Sequence, residues 1–410
     1  MTTSILKCYS SKDVLEKLQQ EFDRVSDKLP SNLNASIVIK PNLNSNLDAL
    51  TGNTTDLRVL SAMLRILTNR GYKNILILEG PNGGYHREGI DVFLRNRIDA
   101  LAIKYGCKFR DVNYEKDTLT VELSNSEKIQ IPKAFIECDL FINVPKLKTH
   151  YETLISVALK SLVGIAVGQP NKAKMHLDLY ENILRLNDIA KAHIYVVDGL
   201  IAMEGNGPSA GDPVLFNTIL TGDNPYEIDI AACFLMGFDP NESPLIQTAI
   251  KSGRIKSSLI DKNKPGQKYL VSKSFVRPNL PPLAKFLALP HIKGIVRVVR
   301  NNPPVSLLLK NTYARRMLFK LGLTQEVLLN EEKDVRLEWD ANKCDSCGKC
   351  LQYCPDMLEL PKAFNTKIFQ CLNCLYCYSV CPNEAIKISG KLGYYKEQIK
   401  RYGDIIKRIA

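Results

Sequence analysis

Eight cysteines near the C-terminal end constrain the fold of this chain more than any other feature. They form two runs of the pattern C-x2-C-x2-C-x3-C-P, from Cys344 to Pro355 and from Cys371 to Pro382. With this spacing, three thiolates of a run can bind one iron–sulfur cube, and the fourth cysteine is a ligand of the other cube. A zinc ribbon needs two C-x2-C pairs instead, and disulfide frameworks are typical of small secreted domains. The pattern therefore predicts two [4Fe-4S] clusters.

Each predicted cluster takes four of these thiolates. The expected sets are Cys344, Cys347, Cys350 and Cys381 for one cluster, and Cys371, Cys374, Cys377 and Cys354 for the other. The stretch resembles the bacterial two-cluster ferredoxin over about residues 336–390. That resemblance implies a small α+β domain that carries electrons.

Length and composition limit how many domains the chain can form and of which class they are. A chain of 410 residues is too long for one compact core, so two or three domains are expected. A hydrophobic content of 45% and a charged content of 24% are typical of globular proteins and exclude a disordered chain. The first residues lack the apolar segment of a secretory signal, and no transmembrane run of about 18 apolar residues occurs. Together with reduced thiols, these features favour a cytoplasmic protein.

The net charge of +12 is concentrated in one segment. Residues 262–325 contain no acidic residue, whereas Lys and Arg recur throughout. Such a segment can lie on an anionic membrane surface, contact an acidic partner, or pack as a bridge between two domains, and these alternatives stay open. No nucleic-acid motif accompanies the charge, so no nucleic acid is expected. Residues 261–335 are thus predicted as a basic, proline-containing bridge, and 391–410 as a basic helical tail that packs or docks a partner.

Residues 1–260 alternate short apolar runs with helical patterns, which predicts an α/β domain. Because the predicted strands are almost continuously apolar, we expect a mostly parallel sheet with helices on both faces. The predicted strands are 36–39, 75–78, 140–144, 194–197 and 210–221, the predicted helices are 56–68, 90–105 and 225–236, and 119–131 is predicted as a hairpin.

Polar and ionisable residues follow four of the predicted strands. In parallel sheets ligands bind beyond the carboxyl ends of the strands, so these residues are expected to converge on one site. The candidates for catalysis are Lys146, Lys148 and His150, and the candidates for substrate binding are Lys40, Asn42, Glu79, Asp198, Glu204 and Asn206.

The lysines among these candidates indicate an anion site. Lys40, Lys146 and Lys148, with Lys160 as a further candidate, would form an electropositive centre for a carboxylate or a phosphate. The same lysines could instead pair with nearby carboxylates in a purely structural network. No dinucleotide fingerprint and no P-loop motif occurs in the sequence.

Two histidines are candidates for moving a proton at this site. His150 could act as an acid, a base or a metal ligand, or it could be hydrogen-bonded structurally. His176 follows a loop that is expected over the same mouth, and a surface position is slightly favoured for it.

Four blocks of the sequence resemble the signature blocks of domain of unknown function 362. They are Ile39–Leu43, Val144–His150, Ala158–Gly164 and Val197–Pro208. The resemblance covers about residues 35–255, and Ser161 stands where the family commonly has Asn. The family often carries a ferredoxin-like module in the same chain. The resemblance therefore implies an iron–sulfur protein of redox character without defining its substrate.

Two functions are compatible with these features. In the first, electrons pass through two [4Fe-4S] clusters to a small anionic substrate or a partner protein at the mouth of the α/β domain, as in an iron–sulfur oxidoreductase. In the second, the α/β domain is a non-redox ligand-binding or transferase-like module. The ferredoxin unit would then be an electron carrier or a structural or sensing element.

Overall fold

The computed structural model describes residues 3–82, 85, 90–261, 273–279, 313, 317, 333–365 and 371–410. The strands are β1 (Ser4–Lys7), β2 (Ile37–Pro41), β3 (Ile75–Glu79), β4 (Lys108–Asp111), β5 (Thr118–Glu122), β6 (Lys128–Pro132), β7 (Leu140–Val144), β8 (Lys146–His150), β9 (Leu154–Ser156), β10 (Ile194–Glu204), β11 (Asp212–Gly222), β12 (Lys333–Trp339) and β13 (Ile386–Lys391). The α-helices are α1 (Ser11–Arg24), α2 (Leu57–Asn69), α3 (Val92–Arg95), α4 (Ile98–Tyr105), α5 (Ala134–Glu137), α6 (Ala158–Ser161), α7 (Gly168–Met175), α8 (Leu179–Ile189), α9 (Pro225–Leu235), α10 (Pro244–Lys251), α11 (Lys349–Gln352), α12 (Tyr376–Val380) and α13 (Tyr394–Ile409).

A nine-stranded sheet lies at the centre of the described α/β region. Its strands follow the order β1-β11-β10-β7-β2-β3-β4, with β8 beside β10 and β9 beside β8. The strands from β10 to β4 run parallel, whereas β1 and β11 complete one edge as antiparallel strands. The chain builds from β2 outward to β4 and then places β7 on the other side of β2. Ligands of α/β sheets bind at such a reversal of strand order, beyond the carboxyl ends.

Helices cover both faces of the sheet, as the sequence predicts. Side chains of β2 point alternately to the two faces. Ile37 and Ile39 pack with α1, α2 and α4 in one buried cluster, and Val38 packs with α6, α8, α9 and α10 in the other. The predicted α/β class with a mostly parallel sheet is therefore confirmed.

The helix predicted over 90–105 is two helices, α3 and α4. Arg97 between them has a φ of 58°, which a residue inside a right-handed helix does not adopt. The Asn96 amide donates to the carbonyl oxygens of Ser45 and Val92 at 3.1 and 2.9 Å, and its Oδ1 accepts from Thr54. These bonds hold the break between the two helices in place. The hydrophobic periodicity of residues 90–105 does not reveal them.

The loops predicted after two strands are strands themselves. Residues 146–150 form β8, and β10 runs on to Glu204 rather than ending at Val197. β8 pairs in parallel with β10 and antiparallel with β9. Lysines can occupy these buried strands because the fold supplies oxygen acceptors for each ammonium group, as described below.

The C-terminal module packs directly on the α/β domain. Its strands β12 and β13 pair antiparallel, and the side chains of Tyr376, Tyr395 and Tyr402 lie in the same buried apolar cluster as α1 and α2. Helix α13 therefore packs on the larger domain, which is one of the two roles predicted for the basic tail.

Most of the predicted bridge lies outside the described residues, and so does the predicted contact of residues 262–325 with a membrane surface or an acidic partner. In the described piece 273–279, Phe275 packs edge-on against Phe216 with ring centroids 5.2 Å apart. Of the helices that the structure describes, none combines the length and apolar character needed to span a bilayer.

Candidate functional site

The eight motif cysteines gather into two sets. Burial raises the pKa of Cys350 to about 11, and Cys347, Cys344 and Cys381 contribute to that rise. Only nearby charges contribute in this way, so the three thiols lie near Cys350. The set is the one that the spacing predicts for the first cluster.

The remaining four cysteines form the second set. Burial raises the pKa of Cys374 well above its ordinary value, and Cys371, Cys377 and Cys354 add to the rise. Cys377 is also affected by Cys350 of the first set, so the two sets are neighbours. Four thiols in each of two adjacent sets fit two [4Fe-4S] clusters, and this grouping supports the predicted ligands.

Among the described residues, no three His, Cys, Asp or Glu side chains converge on a point that could hold one metal ion. In a four-iron cube each thiolate binds a different iron, so the cysteines of such a cluster surround a larger volume than a single ion fills.

The two sets differ in exposure. We call Cys344, Cys347, Cys350 and Cys381 the outer cysteines and Cys354, Cys371, Cys374 and Cys377 the inner cysteines. Cys347 is exposed, whereas Cys354 and Cys377 are 7% and 6% exposed. The inner cysteines lie towards the α/β domain, because Arg97 donates to the carbonyl oxygen of Asn373 within their turn at 2.9 Å.

Three of the predicted lysines lie buried at the carboxyl ends of the central strands, and we call Lys40, Lys146 and Lys148 the lysine centre. Lys40 Nζ is 2.7 Å from Glu79 Oε2 and also donates to Ser161 Oγ at 3.1 Å. Lys146 Nζ is 2.8 Å from Asp198 Oδ2. Two predicted acceptors, Glu79 and Asp198, therefore neutralise two of the predicted lysines.

Lys148 differs from the other two because only neutral oxygens accept from it. Its ammonium group contacts Asn44 Oδ1 at 2.8 Å, Asn53 O at 2.5 Å and Pro208 O at 3.4 Å. Burial lowers its pKa well below the ordinary value, and the charge of Lys146 lowers it further. Charges of Glu79, Lys160 and Lys40 also reach this group. The predicted strand-end residues thus converge around Lys148.

The N-terminus of α2 connects the lysine centre to the inner cysteines. The backbone N–H of Asp56 donates to Asp198 Oδ2 at 2.6 Å, the same oxygen that accepts from Lys146. The next N–H, that of Leu57, donates to the Tyr376 hydroxyl at 3.4 Å. Tyr376 stands between Cys374 and Cys377. Two consecutive amides therefore join the two sites.

A buried ion pair reinforces this connection. Arg58 Nη2 lies 2.8 Å from Asp56 Oδ2, and the Arg58 guanidinium lies over the ring of Tyr353, 4.4 Å from its centroid. Tyr353 directly precedes Cys354. Burial by itself would raise the pKa of Asp56, but the Arg58 charge holds that pKa below its ordinary value.

The other predicted site residues lie at the rim of the site or have structural partners. His150 Nδ1 accepts from the Glu152 N–H at 3.0 Å, and its ring stacks on Tyr151. Glu204 and Asn206 accept backbone N–H groups of Val276 and Asn279. These contacts tie residues 273–279 to the end of β10.

Asn42 and His176 have different surroundings. The Asn42 N–H donates to Thr55 Oγ1, while its side-chain Oδ1 is buried with no hydrogen-bond partner in the described structure. His176 is partly exposed and lies 3.9 Å from Glu152 Oε2. A surface position, the alternative favoured for His176, fits this placement.

Sequence reasoning missed Lys172 on α7. Its ammonium group donates to the carbonyl oxygens of Gly80 and Pro81 and to Asn113 Oδ1 at 2.8–2.9 Å. Burial lowers its pKa to about 8. Lys172 stands in a polar helix with one further lysine, Lys174, so no local signal distinguishes it from a solvated residue. Asp56 and Arg58 were also missed, although an Asp before a helical pattern is a capping signal.

Gly164 explains why the lysine centre can be so compact. A Cβ at this position would lie 2.1 Å from Glu79 Oε1 and 3.1 Å from Lys40 Nζ. Any larger residue would therefore displace the Lys40–Glu79 pair. Gly164 belongs to the block in which the sequence resembles domain of unknown function 362.

The described residues line at least two cavities at the α/β domain. One of about 220 Å³ lies at the amino ends of β2 and β3, where Ser36, Asn74, Arg110 and Glu137 line it. This is the edge opposite to the lysine centre, and ligands of such sheets bind at the carboxyl ends. The second, about 10 Å³ and so roughly the size of one water molecule, lies between Arg97 and Cys374.

Family comparisons agree with this division of the chain. The model of the domain of unknown function DUF362 matches residues 37–234, and that of the 4Fe-4S dicluster domain matches residues 336–382. Residues 37–234 of this chain are thus a DUF362 domain. The dicluster match adds that its C-terminal module binds iron–sulfur clusters of the 4Fe-4S type. The DUF362 match covers all three residues of the lysine centre, and the dicluster match covers both cysteine sets.

Two known proteins are similar to parts of this chain. A thylakoid-associated protein (sll1697) of Synechocystis sp. is 25% identical over 230 residues, which are 53% of this chain and 68% of the relative. The structure of the lactate racemase apoprotein from Thermoanaerobacterium thermosaccharolyticum aligns with a TM-score of 0.38 at 14% identity. That alignment covers 57% of each chain.

Proposed function

We propose that this protein is an iron–sulfur oxidoreductase that delivers electrons to a small anionic substrate, or to a partner protein, at the lysine centre. The inner and outer cysteines would hold two [4Fe-4S] clusters, which supply one-electron chemistry. The lysine centre would stabilise the negative charge that arrives there, because buried cations act strongly where water is excluded. We further propose that the protein acts in the cytoplasm.

The contact between the inner cysteines and the lysine centre is the observation that supports this proposal most. Tyr376 of the inner turn accepts from the Leu57 N–H, and the adjacent Asp56 N–H donates to Asp198, the partner of Lys146. A module that only served other enzymes would need no buried contact of this kind. The contact favours electron delivery into the α/β domain.

The residues of the centre have separable roles in this proposal. An incoming carboxylate or phosphate would compete with Asp198 for the Lys146 ammonium group and become its counter-ion. Lys40, with Glu79, would hold the electrostatic surroundings fixed. His150, buried at the end of β8, would be the group that moves a proton.

Reoxidation of the reduced protein tests the proposal. Anaerobically prepared protein is reduced, excess reductant is removed, and a panel of small carboxylates and phosphates is added while the visible absorbance is followed. We expect at least one compound to reoxidise the wild type. Lys146→Ala should abolish that reoxidation and leave the iron content unchanged, whereas Lys73→Ala, at an exposed position before β3, should have no effect.

The hydrogen bonds within the lysine centre support the rival function. Every lysine in it already has oxygen partners within the fold, as a non-redox ligand-binding or transferase-like domain with a structural ion-pair network would have. Under that function no compound would reoxidise the clusters in a Lys146-dependent way. Equal reoxidation of the wild type and the Lys146→Ala variant would exclude our proposal.

A further inference from the structure

The surface around Cys347 is the place where a reduced partner can approach this protein. Cys347 is exposed, and so are Lys343, Asp345 and Ser346 next to it. By contrast, the inner cysteines Cys354 and Cys377 are buried between the module and the α/β domain. Among the described motif cysteines Cys347 is the most exposed, so its surroundings offer an electron from outside the most direct approach to a predicted ligand.

Some of the charged side chains on this face form ion pairs and others do not. Asp340 pairs with Lys387 at 2.8 Å and Glu384 with Lys407 at 2.6 Å. Asp345 accepts the N–H of Cys347 at 3.1 Å. Asp340 and Glu384 are therefore neutralised by lysines of the module, whereas Asp345 keeps its negative charge.

Two lysines on the same face lack such partners. Lys343 is exposed and Lys349 half-buried, and neither has a carboxylate within ion-pair distance in the described part of the chain. They flank Cys344 and Cys347 in the sequence on either side. With Asp345 counted against these two lysines, one positive charge is left in excess beside the exposed thiol.

We propose that this face is the docking site of a small acidic protein that carries single electrons. The proposal rests on the proposed redox function and names the donor and its place of entry. In each encounter the carrier is oxidised by one electron, and the iron–sulfur centre of the outer cysteines is reduced by one electron. Opposite charges on the two surfaces would speed the encounter and orient it, which is how charged rims act in transient complexes.

The test uses the full-length protein with its clusters and an acidic flavodoxin as the probe. Two variants carry the same change in net charge: Lys343→Glu with Lys349→Glu on the proposed face, and Lys73→Glu with Lys108→Glu at the exposed amino ends of β3 and β4. Binding of oxidised flavodoxin is measured by titration at equilibrium. Electron transfer from flavodoxin hydroquinone is measured by stopped flow at an ionic strength of about 0.01 M, where screening is weak.

We expect the Lys343/Lys349 variant to lose about tenfold or more in both flavodoxin affinity and transfer rate, a typical size for electrostatic steering. Added salt should slow the wild type towards the variant. The Lys73/Lys108 variant should stay within about twofold of the wild type. Reduction by the cationic mediator methyl viologen should not be slowed in either variant, which shows that the clusters are intact.

Equal losses in the two variants, or no loss in either, would overturn the docking site. A loss with methyl viologen as well would also overturn it, because the substitutions would then act on the clusters and not on docking. These results are independent of the Lys146 test. Flavodoxin can reduce the protein at this face even if no substrate reoxidises it, and a substrate can reoxidise it if the face fails.

Discussion

The three residues of the lysine centre show how much a side chain's partners decide its chemistry. Lys40 and Lys146 each face a carboxylate, whereas Lys148 faces an amide oxygen and two carbonyl oxygens. A buried ammonium group without a counter-ion loses its proton most readily. Burial accordingly lowers the pKa of Lys148 well below the ordinary value of a lysine.

Asp229 on α9 allows a pH-dependent prediction at a single residue. It is buried, it accepts the N–H of Ala158 at 2.8 Å, and burial raises its pKa to about 7. Between the unfolded pKa of about 3.9 and that value, the folded state binds more protons than the unfolded state. The free energy of unfolding should therefore fall as pH rises from about 4 to about 7 through this group, and stay lower above it.

Asp229→Asn removes this titration while keeping an oxygen for the Ala158 N–H. We expect the variant to gain stability over the wild type as pH rises, by at most about 4 kcal/mol at roughly 1.4 kcal/mol per pKa unit. Thermal unfolding of both proteins from about pH 4 to about pH 8, a range that spans both pKa values, checks it. A difference in melting temperature that is constant across this range would contradict the assignment.

Residue types were predictable here, but their partners were not. The lysines stand out because they follow apolar strands in the sequence. The partners of Lys148, which are Asn44, Asn53 and Pro208, come from distant turns. Only the folded backbone brings those oxygens together. The buried Lys172 shows the converse, because in the sequence it looks like a surface lysine.

At the scale of elements, the N-terminus of α2 combines a helix cap with an ion pair. Asp56 Oδ1 accepts the N–H of Arg58 at 2.9 Å, and the same carboxylate pairs with the Arg58 guanidinium. Both side chains are buried. Removing one partner of a buried pair leaves the other charge uncompensated, which costs about 3–5 kcal/mol.

We therefore expect Asp56→Asn to destabilise the protein by about 3–5 kcal/mol, although Asn caps helices about as well as Asp. Adding Arg58→Met to this variant removes the unpaired charge and should recover a large part of the loss. Denaturant unfolding of the two single variants and the double variant gives the coupling energy. Losses that simply add would show that the ion pair does not hold this helix end.

The parallel strands β2, β3 and β7, the first part of β10, and α2 follow local patterns, so they could be predicted from the sequence. The short parallel strand β4 was not predicted. The extension of β10 to Glu204 and the existence of β8 depend on pairing with each other, because Asp198 lies opposite Lys146 in their register. Charged residues in a short run normally indicate a loop. The tertiary acceptors of those lysines override that signal.

At the scale of the whole molecule, the two cysteine runs and the α/β pattern predict two units, but not how they meet. Tyr353, Leu372 and Tyr376 belong to the same buried cluster as the core of α1 and α2. The Ser11 hydroxyl donates to the carbonyl oxygen of Gln352, and Lys104 pairs with Asp356. These contacts lie between residues hundreds of positions apart, where no periodicity in the sequence can reveal them.

The shared core predicts that losing an inner ligand affects the α/β domain more than losing an outer one. Cys377→Ser removes a buried thiolate next to Tyr376, which contacts the N-terminus of α2. Cys347→Ser removes the same kind of ligand at the exposed face. Both should lower the iron content, since each predicted cluster needs four thiolates.

Hydrogen exchange at residues 56–60 should rise by about tenfold or more in Cys377→Ser, because each 1.4 kcal/mol of lost protection is a factor of ten. The Cys347→Ser protein is the matched control and should exchange there as the wild type does. Equal exchange in the two variants would mean that the inner cysteines do not support the helix end that holds Asp198.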